Sequence, residues 1–315
     1  MNRPLVSVVA LCYNHSRYVV ETLESIQQQS YTNVEVIVFD DCSKDNSVAV
    51  VESFLQGNNL SWSFIKHQQN RGIAKTLNEA IDLAKGTYIK FIACDDVLLP
   101  DCIETLTTAL DLQPQEFAMA YADVITIDEN STVFGETPFA ERGWLQDADV
   151  PSGNLFIQLA QLCFIPATAT LIRRQVLQQL QFDEKLYFED WDMWLRISKQ
   201  YLIKGLCKPV VKYRIHRSSM YQAKSPAYQD AELRTVKKHI GFNKEADSYL
   251  KDFIYKKSIS LYMHGGLRPL YWLWQRFLIH KSLKNFFHVL VALGGISYQK
   301  KAKWKKRVKQ VLSIS

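Results

Sequence analysis

Short apolar runs alternate with stretches of helical period through the first third of the chain. Residues 5–11 form an apolar run interrupted only by Ser7 and ended at Cys12-Tyr13-Asn14-His15, and residues 18–29 set Val19, Leu23 and Ile26 on one helical face. Residues 34–39 read as a second buried strand. It ends at Asp40-Asp41-Cys42-Ser43-Lys44-Asp45, where Ser43 or Asp45 can cap a helix carrying Val48, Val51 and Phe54. A short strand at 61–65 leads to the turn Asn70-Arg71-Gly72 and a helix with Leu77, Ala80, Ile81 and Ala84, closed by Gly86. Residues 87–93 form a fourth strand that stops at Cys94-Asp95-Asp96, and Pro100 opens the next helix.

This alternation predicts a largely parallel sheet with right-handed crossovers. Parallel strands finish on one edge, so Tyr13-Asn14, Asp40-Asp41 and Asp95-Asp96 should converge where open α/β sheets bind ligands. Asp95 and Asp96 repel each other unless water or a cation separates them, and a hard divalent ion that also holds a diphosphate is one reason for such a pair. A plain strand-end turn is the bland alternative, and the convergence of three polar clusters argues against it.

After Pro114 the rhythm loosens. A strand is expected over 117–127, a Gly- and Pro-punctuated loop over 134–152, a short helix over 155–162 and a strand over 167–172. Trp191, Trp194, Leu195 and Ser198 then share a helical face, with Glu189 and Asp190 at its start. Acids favour a helix N-terminus on electrostatic grounds, so that placement has a structural reading too. A strand over 210–219 leaves into a polar loop, and from about Pro226 onward the pattern is helical. Residues 270–293 read as one apolar helix on which Arg276, His280, Lys284 and His288 fall four apart, the pattern of an interfacial rather than a spanning helix.

With 315 residues, 47% of them hydrophobic, the chain has ample material for a core. Its six scattered cysteines, without a CxxC pair, read as reduced thiols of a cytosolic protein, and the strand near the N-terminus leaves no room for a leader. The net charge of +6 is unevenly spread: residues 253–315 hold 13 Lys and Arg and no acid, seven of those cations lying between Lys300 and Lys309. Such a tail calls for an anionic partner, and an acidic body without a nucleic-acid motif points away from nucleic acid and toward a membrane surface. A solvated C-terminal helix packed on the body is the alternative.

With these clusters in view, the chain resembles the family 2 glycosyltransferases of the A-type fold, and is most similar to bacterial enzymes of surface-polysaccharide synthesis. The resemblance spans Val6 to about Ser219. It rests on six signals in order: Val6-Ser7-Val8-Val9 with Tyr13-Asn14; Val38-Phe39-Asp40-Asp41-Cys42-Ser43-Lys44-Asp45; Asn70-Arg71-Gly72 with Lys75; Cys94-Asp95-Asp96; Glu189-Asp190; and Tyr213-Arg214-Ile215-His216. It implies a nucleotide-diphospho-sugar transferase domain, Rossmann-like with a mostly parallel central sheet, over 1–222. That domain would hold a nucleotide-binding half at 1–112 and an acceptor-binding half at 113–222, followed by a basic, helical, membrane-associating region at 223–315. The activity implied is inverting transfer from a UDP-sugar to a glycan acceptor on a lipid carrier, with Mn²⁺ or Mg²⁺, at the inner face of the cell membrane.

The resemblance also assigns residues. Leu11, Tyr13 and Asp41 take the uracil side of the donor; Asp95 the sugar or ribose; Asp96 the metal, with His216 beside it; Lys75 the diphosphate; Asp190 is the base; Glu189 and Trp191 orient the acceptor. Asp192 is the competing base. Ala93 stands where the family motif usually begins with another Asp, so ligation rests more heavily on Asp96 and the diphosphate, and Leu77 stands where an Arg is frequent, which leaves that contact without its usual residue. Two other functions stay open: a nucleotidyltransferase, which would need a Gly-rich basic loop in place of Cys12-Tyr13-Asn14-His15, and a catalytically inactive sugar-nucleotide-binding scaffold at the membrane.

Overall fold

The structure, a computed structural model, describes residues 3–186, 189–216, 226–263 and 267–293. The chain falls into two compact units: Met1–Leu159 with Cys163–Glu184 and Glu189–Gln222, and Ala160–Leu162 with Lys185–Phe188 and Ala223–Ser315. The basic cluster at 300–309 and the loop after the last strand lie outside the described residues.

In the first unit the expected alternation appears as β1 (Val6–Cys12), α1 (Val19–Gln27), β2 (Val34–Asp40), α2 (Ser47–Gly57), β3 (Ser63–Lys66), α3 (Ile73–Leu83) and β4 (Tyr88–Ala93). There follow β5 (Val97–Leu98), α4 (Cys102–Asp111), β6 (Phe117–Ile127), α5 (Phe156–Gln161), β7 (Thr170–Arg173), α6 (Arg174–Leu180), α7 (Glu189–Ser198) and β8 (Leu202–Arg214). All eight strands form one sheet in the order β3-β2-β1-β4-β7-β6-β8-β5. Only β7 and β5 run against their neighbours, so the sheet is mostly parallel. β1 buries all but Leu11, as a strand covered on both faces must. Val8, Ala10, Val36 and Val38 share a core cluster with Leu23 and Ile26 of α1 and Ile103 and Leu106 of α4. That packing fixes the sheet edge where β1, β2 and β4 end together.

Three elements differ from expectation for local reasons. The strand expected over 167–172 begins as a tight turn, Ala167–Ala169, closed by Ala169 N–H on Pro166 O at 3.0 Å, and extends only from Thr170. The strand expected from Val210 starts eight residues earlier. Its first half was hidden by Gly205 and Pro209. Pro209 lies opposite Asp123, where the β6–β8 register shifts and a missing N–H is tolerated. A Cβ on Gly205 would sit 2.5 Å from Val150 Cγ1 and 2.6 Å from Pro151 O, so the close approach requires glycine. The cap of α2 is Asn46, which makes no side-chain cap bond; Asp45 instead accepts the Ser47 N–H at 3.0 Å.

The second unit holds α8 (Pro226–Lys238), α9 (Lys244–Met263), α10 (Pro269–Ile279) and α11 (Leu283–Leu293). Tyr262, Leu273 and Val289 form its small core, and the Trp272 indole N–H donates to Asp230 Oδ1 at 2.7 Å. The single helix expected over 270–293 is two. Arg276, 7% exposed, donates to Asn285 Oδ1 at 3.1 Å, and Asn285 Nδ2 donates to His280 O at 2.8 Å, which ties off the turn between them. The four-residue polar stripe therefore does not exist as one surface: Arg276 is inside, and His280 ends α10. Among the described residues, no helix is long and apolar enough to cross a membrane.

Candidate active site

The loops after β1 and β2 are stitched together at the sheet edge. Asn14 N–H donates to Ser43 Oγ, Lys44 N–H to Asn14 Oδ1, His15 N–H to Ser47 Oγ and Ser16 N–H to Asp45 Oδ2, at 2.7–3.0 Å. Asp40, 1% exposed, holds its own turn by accepting Ser43 N–H and Oγ–H. Tyr13 is left 43% exposed beside this stitched edge, and Leu11 is half-buried at the end of β1.

Asp41 has a second task besides the one expected of it. Its carboxylate accepts the backbone N–H groups of Arg71 at 2.7 Å and Gly72 at 2.9 Å, and lies 2.8 Å from His67 Nδ1. It thereby fixes the turn that starts α3, where Gly72 at φ 79° adopts a conformation other residues resist. A carboxylate has about four lone-pair sites, so one more donor, such as a base N–H, can still be received. Lys75 stands exposed on the first turn of α3, and among the described residues no carboxylate pairs with it.

The adjacent acids after β4 point to different places. Asp96 is 2% exposed: one oxygen accepts the Arg214 N–H at 2.9 Å, and burial with the Asp95 charge pushes its carboxyl up to about 8. Asp95 faces the edge. Its Oδ2 is 3.0 Å from His216 Nε2 and 3.8 Å from His15 Nε2. Burial raises the Asp95 carboxyl, yet the His216 hydrogen bond and the nearby His15 and His216 rings outweigh it and hold the group below the usual range. The metal role expected of Asp96 therefore meets a carboxylate turned inward, while Asp95 stands against His216.

His15, Asp95 and His216 each offer one ligand atom, all within 4.8 Å of one another. Burial lowers the His15 pKa, favouring the neutral imidazole that binds metals, and among the described residues its buried Nδ1 has no hydrogen-bond partner. One carboxylate and two imidazoles suit a divalent cation. Arg214 braces the cluster. Buried at 1%, it donates from Nε to Asp95 O at 2.7 Å and from Nη2 to Glu21 at 2.5 Å, and its guanidinium lies 4.7 Å from the centre of the Tyr18 ring, which also faces His216.

Asp190 opens α7. The segment before it is held on α3 by a reciprocal pair, Phe182 N–H to Asn78 Oδ1 at 2.7 Å and Asn78 Nδ2 to Phe182 O at 3.0 Å, with Phe182 edge-on to Phe91 of β4. Asp190 is half-buried and accepts the Trp191 N–H at 2.6 Å; burial raises its carboxyl above the usual value. Glu189 is 7% exposed and pushed up to about 8 by burial and by the Asp190 charge. Burial thus raises both carboxyls at the head of α7, and the Asp190 charge adds to the rise at Glu189. The competing base, Asp192, is fully buried in an ion pair with Arg196 Nε at 2.7 Å. Trp191, expected against an acceptor, is 4% exposed, with its indole N–H on Leu159 O at 2.9 Å.

The Glycosyl transferase family 2 model matches residues 7–181, more than half of the chain. The chain belongs to glycosyl transferase family 2. Among its family 2 relatives, an uncharacterized glycosyltransferase of Methanocaldococcus jannaschii is 26% identical over 247 residues, covering 76% of this chain and 80% of that protein. Glycosyltransferase GlyG of Streptococcus pneumoniae is 30% identical over 193 residues, covering 59% of this chain and 62% of GlyG. The fold is shared with S. aureus TarS 1–349 in complex with UDP-GlcNAc, at a TM-score of 0.58 and 17% identity over 92% of this chain and 80% of that one. It is shared also with the mannosyltransferase PcManGT of Pyrobaculum calidifontis in complex with GDP-Man and Mn2+, at 0.59 and 17% over 97% and 84%. Within this family 2 chain the residues that sequence reasoning missed are His15, His67 and the brace Arg214. His15 had a signal, a metal-binding residue type directly after the first strand; His67 and Arg214 act through contacts that spacing does not display.

Proposed function

We propose that this family 2 glycosyltransferase is an inverting, metal-dependent enzyme that moves a sugar from a UDP-sugar to a glycan acceptor, carried on a lipid, in polysaccharide synthesis at the inner membrane face. The observation that carries this reading is the His15–Asp95–His216 cluster at the sheet edge where the Asp41 turn also lies. The base of the donor would lie along Leu11 and Tyr13, with its ring N–H on the free lone pair of Asp41. Asp95, His216 and His15 would hold the cation, and two nitrogen donors favour Mn²⁺ over Mg²⁺. When bound, such a cation neutralises negative charge on the diphosphate. Lys75 adds a positive charge for the same diphosphate.

Asp190 is the base in this reading. Burial raises its carboxyl, so in its ionised form it is a stronger base than an exposed carboxylate and can take the proton of the acceptor hydroxyl. As that oxygen bonds to the anomeric carbon, the bond from the carbon to the diphosphate oxygen breaks and its electron pair leaves with UDP. One displacement inverts the anomeric centre without a covalent enzyme intermediate. Buried Glu189 shapes the pocket of the base rather than gripping an acceptor. The test is a panel of UDP- and GDP-sugars scored for hydrolysis or transfer with Mn²⁺, with Mg²⁺ and with chelator. Turnover of a UDP-sugar that chelator abolishes supports the reading; turnover indifferent to chelator, or confined to GDP-sugars, overturns it.

A further inference from the structure

The second unit carries an apolar surface that its own core does not use. On α10 the side chains buried against that core, Trp272, Leu273 and Arg276, lie on one face, while Leu270, Trp274 and Leu278, four apart, remain 38–46% exposed on the opposite face. On α11, Asn285 and Val289 are buried, while Leu283, Leu290 and Leu293 are 88%, 47% and 63% exposed. Each helix thus keeps large apolar side chains exposed besides those it buries, which a helix packed once against a polar solvent does not need.

The surroundings of this surface are cationic. Lys281 and Lys284 flank Leu283 at the turn between the helices; both are exposed, and among the described residues neither meets a carboxylate. No acid occurs anywhere from residue 253 to 315, and the sequence beyond α11 adds seven more cations between Lys300 and Lys309. A second copy of this chain is less well matched. A second copy would bring the same uncompensated cations to the interface.

We infer that the α10–α11 hairpin is a membrane-docking wedge: its exposed apolar stripes enter the headgroup boundary of an anionic bilayer, with Lys281 and Lys284 on the headgroups. The inference deepens the proposed function and rests on it for its purpose, because a lipid-linked acceptor is met at such a surface. It also replaces the single striped helix expected from the sequence with a hairpin whose tip, Leu283, is the most exposed of these leucines.

The test uses the full chain and flotation with phosphatidylcholine vesicles, with and without phosphatidylglycerol. The wild-type protein is expected to float with the anionic vesicles and less with the neutral ones. Leu278→Asp with Leu290→Asp, at exposed sites that leave the fold intact by circular dichroism, should lower partitioning about tenfold for each change. Lys281→Glu with Lys284→Glu should lower it about fivefold for each, an effect that salt mimics. Undiminished flotation of the leucine variant would move binding to residues 294–315 and overturn the wedge. So would a wild-type dimer in sedimentation that the same variant dissociates. Hydrolysis of a soluble donor, measured beside it, keeps a failure of docking separate from a failure of the enzymatic reading.

Discussion

Replacing Glu189 with Gln tests the electrostatics at the head of α7 without touching the proposed base. Glu189 is buried, and its carboxyl rises from 4.5 to about 8, first through lost solvation and then through the Asp190 charge. A raised acid pKa means that the folded state holds a proton the unfolded state releases. The contribution of this group is therefore fully present below pH 4.5 and lost as pH climbs through 8. At about 1.4 kcal/mol for each pH unit, the full loss is on the order of 5 kcal/mol. Gln keeps the shape of the protonated acid and never ionises. Urea unfolding of both proteins, followed by tryptophan fluorescence across this range, should show little change in their difference at the acidic end and a growing advantage for the variant toward alkaline pH. Asp190→Asn in the same background should shrink that advantage, since it removes one of the two causes. A difference independent of pH would mean that Glu189 is ionised in the folded protein, and the raised acid at the head of α7 would fail with it.

Asp190→Asn should lower kcat by about 10²–10⁴-fold while UDP binding stays intact in calorimetry; wild-type turnover would remove it as the base. Asp95→Ala should weaken Mn²⁺-dependent UDP binding by at least ~10–100-fold, whereas Asp96→Asn should leave the metal titration near wild type; the reverse pattern would restore Asp96 as the ligand. Asp41→Ala should cost both donor affinity and about 1–3 kcal/mol of stability for each backbone N–H it strands at Arg71 and Gly72, read by UDP titration and denaturation. Gly86→Ala should destabilise by about 1–3 kcal/mol or more in denaturation, since its Cβ would stand 2.5 Å from Ser7 N and 2.8 Å from Tyr88 O.

The strands that end at this sheet edge, β1, β2 and β4, were legible because they are buried on both faces and leave apolar runs broken only by Ser7, Glu35 and Lys90. β5 was not, being two residues long and held by pairing with Val211 and Lys212 of β8, a contact no local pattern announces. The α10–α11 break was hidden for the opposite reason: the helical period continues across it, and only the Arg276–Asn285 pairing cuts it. At the site, the sequence brought the right loops together but could not sort neighbours. Asp95 and Asp96 look equivalent in a string, yet adjacent residues at a strand end face different ways, and Arg214, 118 positions further on, decides which one is turned inward. Trp191 shows the same limit, since an aromatic beside acids reads equally as a binding wall or as core.

The central claim is that one cation and one uridine diphosphate share the edge formed by residues 13–16, 41, 95 and 216, with Asp190 facing the sugar. Crystals grown with UDP and Mn²⁺, with diffraction recorded for the anomalous signal of manganese, test it most directly. The account predicts one peak bounded by Asp95, His216 and His15, with the diphosphate against it and Asp190 across the sugar position. A peak on Asp96 instead, or an Asp190 turned away from the nucleotide, would contradict it.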